Sequence, residues 1–366
     1  MKIFYAAPNT AHQDDLPNSK LWNYNLYSSL VKLGHEVVTF EFDYSEFNYN
    51  LDILNPVHCK FIDKNRPKLG NELIKQVELA HRQKSIDLFF SYFYSAYVEP
   101  DVIQKIKEMG ILTINWYCNA SYQLHLVEEI APAYDYCLVP EKFRLEDYKR
   151  IGANPIYCQE AANPEVYKPH SLAQEYDVTF VGQKYGDRPY YIRHLINAKI
   201  DARAWGPLWE KKQPSLWRRW ARSLKNIALN RPSWEVPAKY CGAPLSDEEY
   251  IKMYSRSKIS LGFTTVAEMP KQGESPIKQV RLRDFEATMS GAFYLVEYFD
   301  ELTDFFEPDK EIVCFSSPEE LIDKANFYLK HDDAREKIRQ AGMQRARNEH
   351  TWQKRFEMVF KQIGLT

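Results

Sequence analysis

The sequence is short of several features, and each shortage excludes something. Its six cysteines, Cys59, Cys118, Cys137, Cys158, Cys241 and Cys314, are irregularly spaced and form no C-x-x-C pair. That pattern argues against a zinc site or a disulfide framework, and for reduced thiols in the cytosol. Long hydrophobic runs are missing too. No stretch approaches the ~18 continuous apolar residues of a membrane-spanning helix. Met1 leads directly into a strand-like run, without the basic and apolar regions of a signal peptide, so a cytoplasmic location is expected. Charge of one sign is scarce as well. The net charge is −2 with 27% charged residues, far from the basic excess of a surface that tracks nucleic-acid phosphates. Low-complexity tracts and short repeats are absent.

What is present is an alternation of strand and helix. The 366 residues favour two domains, and a 45% hydrophobic content supplies ordinary cores. Aromatic residues reach 14%, which suits ring-lined surfaces such as sugar sites, although most Phe and Tyr fill cores. Residues 2–7 read as a strand. Trp22, Leu26, Leu30 and Leu33 then fall at helical spacing, Gly34 ends the helix, and a strand follows at 36–42. The scheme repeats with helices at 72–82, 100–109 and 141–150 and strands at 87–93, 111–117, 134–139 and 155–158. This is a doubly wound, Rossmann-like pattern. Its first turn lacks G-x-G-x-x-G, so a dinucleotide there is not expected. Residues 160–175 read as an interdomain linker.

The second half repeats the alternation. The strand 177–181 ends in Gly182, and Lys184 and Arg188 follow before a helix that Pro189 would open. Glycine at a strand end, nearby cations and free helix N–H groups make a phosphate site, although a surface turn with solvated basic residues reads equally from the residues. Strands at 201–206 (ending in Trp205 and Gly206) and 258–263 flank a capping box at Ser246. Leu282, Phe285 and Met289 predict a helix with one buried face, stopped by Gly291 before a strand at 292–298. Lys278, Arg281, Arg283 and Glu286 would ride on that helix off its apolar stripe. They suit a nucleoside diphosphate, with cations on phosphate and the carboxylate on ribose hydroxyls. The alternative is a solvated face with an Arg283–Glu286 pair. Ser317 opens another helix, and helices at 332–346 and 351–362 close the chain.

Segment 211–240 stands apart. It holds eight lysines and arginines against one acid, Glu235, a net of +7, together with three tryptophans. Trp217, Trp220, Leu224 and Ile227 mark a basic amphipathic helix. Peripheral contact with an anionic membrane is one reading; a helix packed on its own domain, or one binding an anionic glycan, is the other.

Taken together these residues resemble the group 1 glycosyltransferase family, in its CgeB-like branch. The specific part is Arg283, Phe285, Glu286 and Gly291, then F-E-P-D-K-E-I at 306–312, D-x-R-x-K-I-x-x-A-G at 333–342 and H-T-W-x-x-R at 350–355. Looser agreement covers nearly the rest of the chain. The resemblance implies an α/β GT-B fold: two Rossmann-like doubly wound domains facing across a cleft. An acceptor domain would occupy 1–165 and a donor domain 166–350, with the last segment, 351–366, crossing back to the first. It implies a metal-independent sugar transfer from a nucleotide-diphosphate sugar to a glycan, lipid-linked or other acceptor, with no further cofactor. Polysaccharide biosynthesis is the expected setting, and the chain lacks D-x-D. Donor contacts are expected from Gly182, Lys184, Arg188, Trp205, Gly206, Arg281, Arg283 and Glu286, the last matching the family's ribose-binding glutamate. Many relatives carry another glutamate eight residues earlier; here it is Lys278, which could stabilise the departing diphosphate. A general base would come from the first domain, with His12, Asp14, Asp15, Asn119 and His125 as candidates after strands. The rival readings are a nucleotide-sugar epimerase and an inactive GT-B protein that binds carbohydrate.

Overall fold

Each strand-like run named above forms a parallel strand. The computed structural model describes residues 1–7, 20–210, 235–266 and 276–365. It divides into two units, Met1–Asn163 with His350–Thr366, and Pro164–Glu349.

The first unit is built on a parallel sheet of six strands. They are β1 (Lys2–Ala6), β2 (Glu36–Thr39), β3 (Leu88–Ser91), β4 (Leu112–Trp116), β5 (Tyr136–Val139) and β6 (Pro155–Tyr157), in the order β2-β1-β3-β4-β5-β6. Strands buried on both faces read as continuous apolar runs, and β1, β3 and β5 do. Helix α1 is short, Ser28–Lys32, preceded by a π-type turn at Asn23–Tyr27. The next helix, α2 (Pro56–Gln83), is far longer than the 72–82 segment legible in the sequence. Asn55 caps it by accepting a hydrogen bond from Val57 N–H, and Pro67 sits inside it. Ile62, Leu69, Leu73, Val77 and Ala80 form its buried stripe. Helices α3 (Pro100–Glu108), α4 (Ala120–Gln123) and α5 (Leu145–Arg150) follow the next strands. Much of the aromatic content is spent in this core, as in the Phe4–Phe89 stack with centroids 6.1 Å apart.

The second unit carries β7 (Tyr176–Val181), β8 (Ala202–Trp205), β9 (Cys241–Gly242), β10 (Ser257–Gly262), β11 (Tyr294–Glu297) and β12 (Val313–Phe315). Its order is β12-β11-β10-β7-β8-β9, again all parallel. Its helices are α6 (Arg188–Asn197), α7 (Asp247–Arg256), α8 (Leu282–Met289), α9 (Pro318–Lys330) and α10 (Asp332–Glu349). The capping signals hold. Ser246 accepts from Glu249 N–H, and Ser317 from Glu320 N–H with Pro318 in the first turn. Strand order reverses between β7 and β10, so the crevice beyond their carboxyl ends is where such a sheet takes a ligand.

The last helix, α11 (Trp352–Gln362), belongs to the first unit. Thr351 caps it and bridges to Ala162. Trp352, Phe356 and Val359 are fully buried there, with Trp352 edge-on to Trp116 at 5.1 Å. The presumed linker is packed at its start, since Ala161, Ala162 and Asn163 are all buried.

Candidate active site in the second unit

The loop after β7 begins with Gly182. Its N–H donates to Trp205 O (2.8 Å), and its carbonyl accepts from Trp209 Nε1 (2.7 Å). A Cβ on Gly182 would stand 2.8 Å from the Phe180 ring and 3.0 Å from Arg283 Nη1, so the absent side chain is what lets Arg283 lie against the strand end. Gly206 has φ +133°, and a Cβ there would come within 2.5 Å of Gly182 O. The ends of β7 and β8 therefore meet backbone to backbone, which requires glycine at 206.

Three guanidinium groups gather here. Arg188, in the first turn of α6, is only 4% exposed. Its ring stacking with Tyr185 is close, 3.7 Å from guanidinium carbon to ring centre, and it donates to Gln183 O (2.9 Å) and Tyr185 Oη (2.5 Å). Arg281 donates to the same Tyr185 Oη (2.9 Å) and to Thr265 O (2.7 Å). Arg283 Nε donates to Tyr250 Oη (3.3 Å). None of the three forms an ion pair with a carboxylate among the described residues, and Nε of both Arg188 and Arg281 is buried without a partner. Burial first, then the neighbouring Arg281 and Arg283, pulls Arg188 well below the usual guanidinium range. Asp284 and Glu286 lie close enough to feel Arg281 and Arg283, whereas no carboxylate acts on Arg188. Burying an ion carries a penalty of several kcal/mol, so Arg188 leaves the site poised for an anion.

Glu286 is also buried, on α8. Its Oε2 accepts from Tyr250 Oη (2.8 Å), which in turn accepts from Tyr254 Oη (2.5 Å); its Oε1 has no hydrogen-bond partner. Burial raises its pKa, while the hydroxyls of Tyr167 and Tyr250 and the charge of Arg283 hold part of that rise back. Tyr250 thus ties Glu286 to Arg283. Asp284, beside them, accepts from Arg281 N–H (2.8 Å) and Tyr294 Oη (2.7 Å), and burial pushes it up to about 6.

The predicted helix is shorter than expected, which moves two of its four polar residues off it. Lys278 lies in an extended bridge with Thr265, and Arg281 stands at the N-cap. Only Arg283 and Glu286 are on α8, and they do not pair with each other. Lys278 instead reaches Glu297 Oε1 (3.0 Å) and Tyr298 O (2.9 Å). Lys184 N–H donates to Pro207 O (3.0 Å), and its ammonium lies 5.4 Å from the centre of the Trp209 ring. The Trp205 ring packs on Tyr176 at 5.1 Å and against Gly242.

Four contributors carried no usable sequence signal: Tyr185, Tyr250, Thr265 and Glu297. Glu297, at the end of β11, accepts from Thr264 N–H (3.1 Å), Thr265 N–H (3.0 Å) and Thr265 Oγ1 (2.8 Å) as well as Lys278. In the first unit, Asn119 precedes α4 and His125 lies in the turn Leu124–Leu126, both half-buried beyond the end of β4. Nearby Glu141, missed in the sequence, is buried and accepts from Ser121 N–H (3.2 Å). His12, Asp14 and Asp15 lie outside the described residues, as do 211–234 of the basic segment. Among the described residues no group of three or more His, Cys, Asp or Glu could hold a metal ion, and no helix is long and apolar enough to cross a membrane.

Comparison with known families bears on the same stretch of chain. Residues 188–361 match the glycosyl transferase-like family. This glycosyl transferase-like region contains Arg188, Arg281, Arg283 and Glu286. No curated protein matches the chain. Among solved structures, sucrose-phosphate synthase from Thermosynechococcus elongatus is 13% identical, with TM-score 0.59 over 99% of this chain and 98% of that one. HepE of Anabaena in complex with UDP and glucose is 10% identical, with TM-score 0.60 over 100% of both chains. A glycosyltransferase from Rickettsia africae is 10% identical, with TM-score 0.55 over 98% and 97%. At these identities the likeness is one of fold, and the fold is that of the GT-B glycosyltransferases.

Proposed function

We propose that the chain is a glycosyltransferase whose donor, a nucleotide-diphosphate sugar, binds at the carboxyl ends of β7 and β10. The observation that carries this reading is the trio Arg188, Arg281 and Arg283, converging without carboxylate partners at the reversal point of a parallel sheet. A diphosphate supplies the missing charge. Lys184 adds a fourth cation, and Gly182 and Gly206 let the donor approach the backbone. Glu286, with Oε1 unpartnered, accepts the ribose hydroxyls. The match of 188–361 and the HepE complex with UDP and glucose support the same ligand class.

Transfer of the sugar leaves negative charge on the departing diphosphate, and preorganised guanidinium groups stabilise that charge without a metal. The acceptor, a glycan or a lipid-linked sugar, would meet a base from the first unit, with His12, Asp14, Asp15, Asn119 and His125 the residues to test. Membership of the CgeB-like branch, hexosyl transfer, a place in polysaccharide biosynthesis and a cytoplasmic site of action, with membrane contact through 211–240, complete the reading. Calorimetry with a panel of nucleoside diphosphates and their sugars tests it. One nucleotide should bind wild type and bind Glu286→Ala more weakly; absence of binding by any of them removes the donor assignment. Product analysis without acceptor separates transfer from epimerisation.

A further inference from the structure

The outer side of α2 changes character along its length. In the second half the exposed cations are paired one turn away, Lys75 with Glu72 and Arg82 with Glu78. In the first half they are not. Lys60, Lys64 and Lys68 recur at i, i+4 and i+8, so they form one row, and all three are exposed. None meets a carboxylate within ion-pair distance among the described residues; Lys68 only reaches Asn65 Oδ1 (3.3 Å). Asp63, the one acid of this half, is exposed beside the row. Val57 continues the row at its start and is 74% exposed. Leu54 stands just before the Asn55 cap, where an apolar residue often packs back onto the first turns of a helix, yet it is 71% exposed. The turn Phe47–Tyr49 lies against the same half, with the Phe47 and Phe61 ring centres 5.0 Å apart, and leaves Tyr49 55% exposed.

Cations alone would suit any polyanion, and apolar side chains alone any apolar surface. Their combination is narrower. An anionic bilayer meets both, with headgroup phosphates for the lysines and the acyl boundary just beneath for Leu54 and Val57. A nucleic acid or an acidic glycan satisfies the lysines and leaves the apolar side chains in water. The chain as a whole carries a net charge of −2, so the attraction is a property of this face and not of the protein at large. We propose that the first half of α2, with Leu54 and Val57 at its leading end, docks the first unit on an anionic phospholipid surface. This surface is separate in sequence from 211–240, and it does not depend on the donor reading.

Co-sedimentation of the full chain with vesicles of phosphatidylcholine, with and without an equal part of phosphatidylglycerol, tests this. Wild type should bind the mixed vesicles at least tenfold more tightly than the neutral ones, and less as salt is raised. Lys60→Glu, Lys64→Glu and Lys68→Glu together should lower affinity for the mixed vesicles at least tenfold. The same three lysines changed to glutamine, which only removes charge, should lower it at least threefold with an unchanged melting temperature. Leu54→Ser with Val57→Ser should also cost at least threefold. A charge-matched control on α3 and α5, Lys105→Glu with Lys149→Glu and Arg150→Glu, should lose less than threefold. Absence of binding by wild type overturns the proposal, as does a loss in the control equal to that in the lysine variants. Binding that the lysine variants retain also overturns it and leaves any contact to 211–240. If the lysine variants fail while the serine variant binds as wild type does, the face takes a polyanion by charge alone, and lipid docking is again overturned.

Discussion

Lys278 Nζ stands 3.0 Å from Glu297 Oε1, so the lysine is neutralised by a carboxylate at the end of β11. Burial alone would raise Glu297, but the Thr265 amide and hydroxyl and Lys278 outweigh it and leave its pKa below the ordinary 4.5. A depressed carboxylate stabilises the fold above its unfolded pKa, and that contribution is lost as pH falls through the folded value. Glu297→Gln should therefore cost about 1–3 kcal/mol at pH 7, and the difference from wild type should narrow as the pH falls below 4.5 and the buried carboxylate takes up its proton. Thermal melts from pH 3 to 8 would show it; a gap that persists in acid contradicts the assignment.

Lys278→Ala should be milder. The lysine is 31% exposed, and Glu297 retains three other donors. A partly exposed pair is worth about 1 kcal/mol or less. Nucleoside diphosphate affinity should change much less than with Arg188→Ala; an equal loss would return Lys278 to the phosphate.

Arg188 is buried without a carboxylate, so its replacement should separate stability from binding. Arg188→Met keeps the stem's volume and removes the uncompensated charge. The ligand-free protein should melt at the same temperature or higher, while diphosphate affinity falls about tenfold or more, the equivalent of ~1.4 kcal/mol. A variant that melts lower and binds normally would make Arg188 a purely structural residue.

Gly182→Ala should weaken binding by a different route. The new methyl would press on Phe180 and Arg283, and overpacking of this kind costs about 1–3 kcal/mol. Diphosphate affinity should fall along with stability. Binding equal to wild type would show that Arg283 need not lie against the strand.

Trp352→Ala removes a fully buried ring set edge-on to Trp116. Loss of a buried aromatic costs about 3–5 kcal/mol. The cost should fall on the first unit, so melting followed by hydrogen exchange should show protection lost in β3 and β4 rather than in β7 and β10. Uniform loss across both units would argue that they unfold together.

The sequence reveals what depends on local patterning. Apolar runs mark strands, Ser246 and Ser317 mark helix starts, and Gly34 and Gly291 mark ends with positive φ. It hides what depends on strands meeting. β9 is two residues, Cys241–Gly242, too short for any periodicity. The start of α2 was masked by Pro67, although Asn55 followed by Pro56 is a capping signal that could have exposed it. Lys278 and Arg281 looked helical only because they precede the stripe Leu282, Phe285 and Met289. Glu297 and Thr265 come together because β10 and β11 are paired in register, with Gly262 opposite Val296, and no spacing in the chain encodes that. Tyr185 and Tyr250 are ordinary tyrosines until the guanidinium groups arrive beside them.

The first unit is made from two stretches of chain, Met1–Asn163 and His350–Thr366, with the whole of Pro164–Glu349 between them. Order of synthesis follows from this. When Asn163 leaves the ribosome, the pocket that Trp352, Phe356 and Val359 will fill is still empty, and at ~5–20 residues per second it stays so for tens of seconds. The donor-side unit can close on itself in that interval; its partner must wait, with apolar surface uncovered. A nascent chain is therefore exposed to aggregation and to chaperones until α11 has been made. A gene split after codon 163 should yield an N-terminal fragment that stays insoluble unless the last helix is grafted onto it.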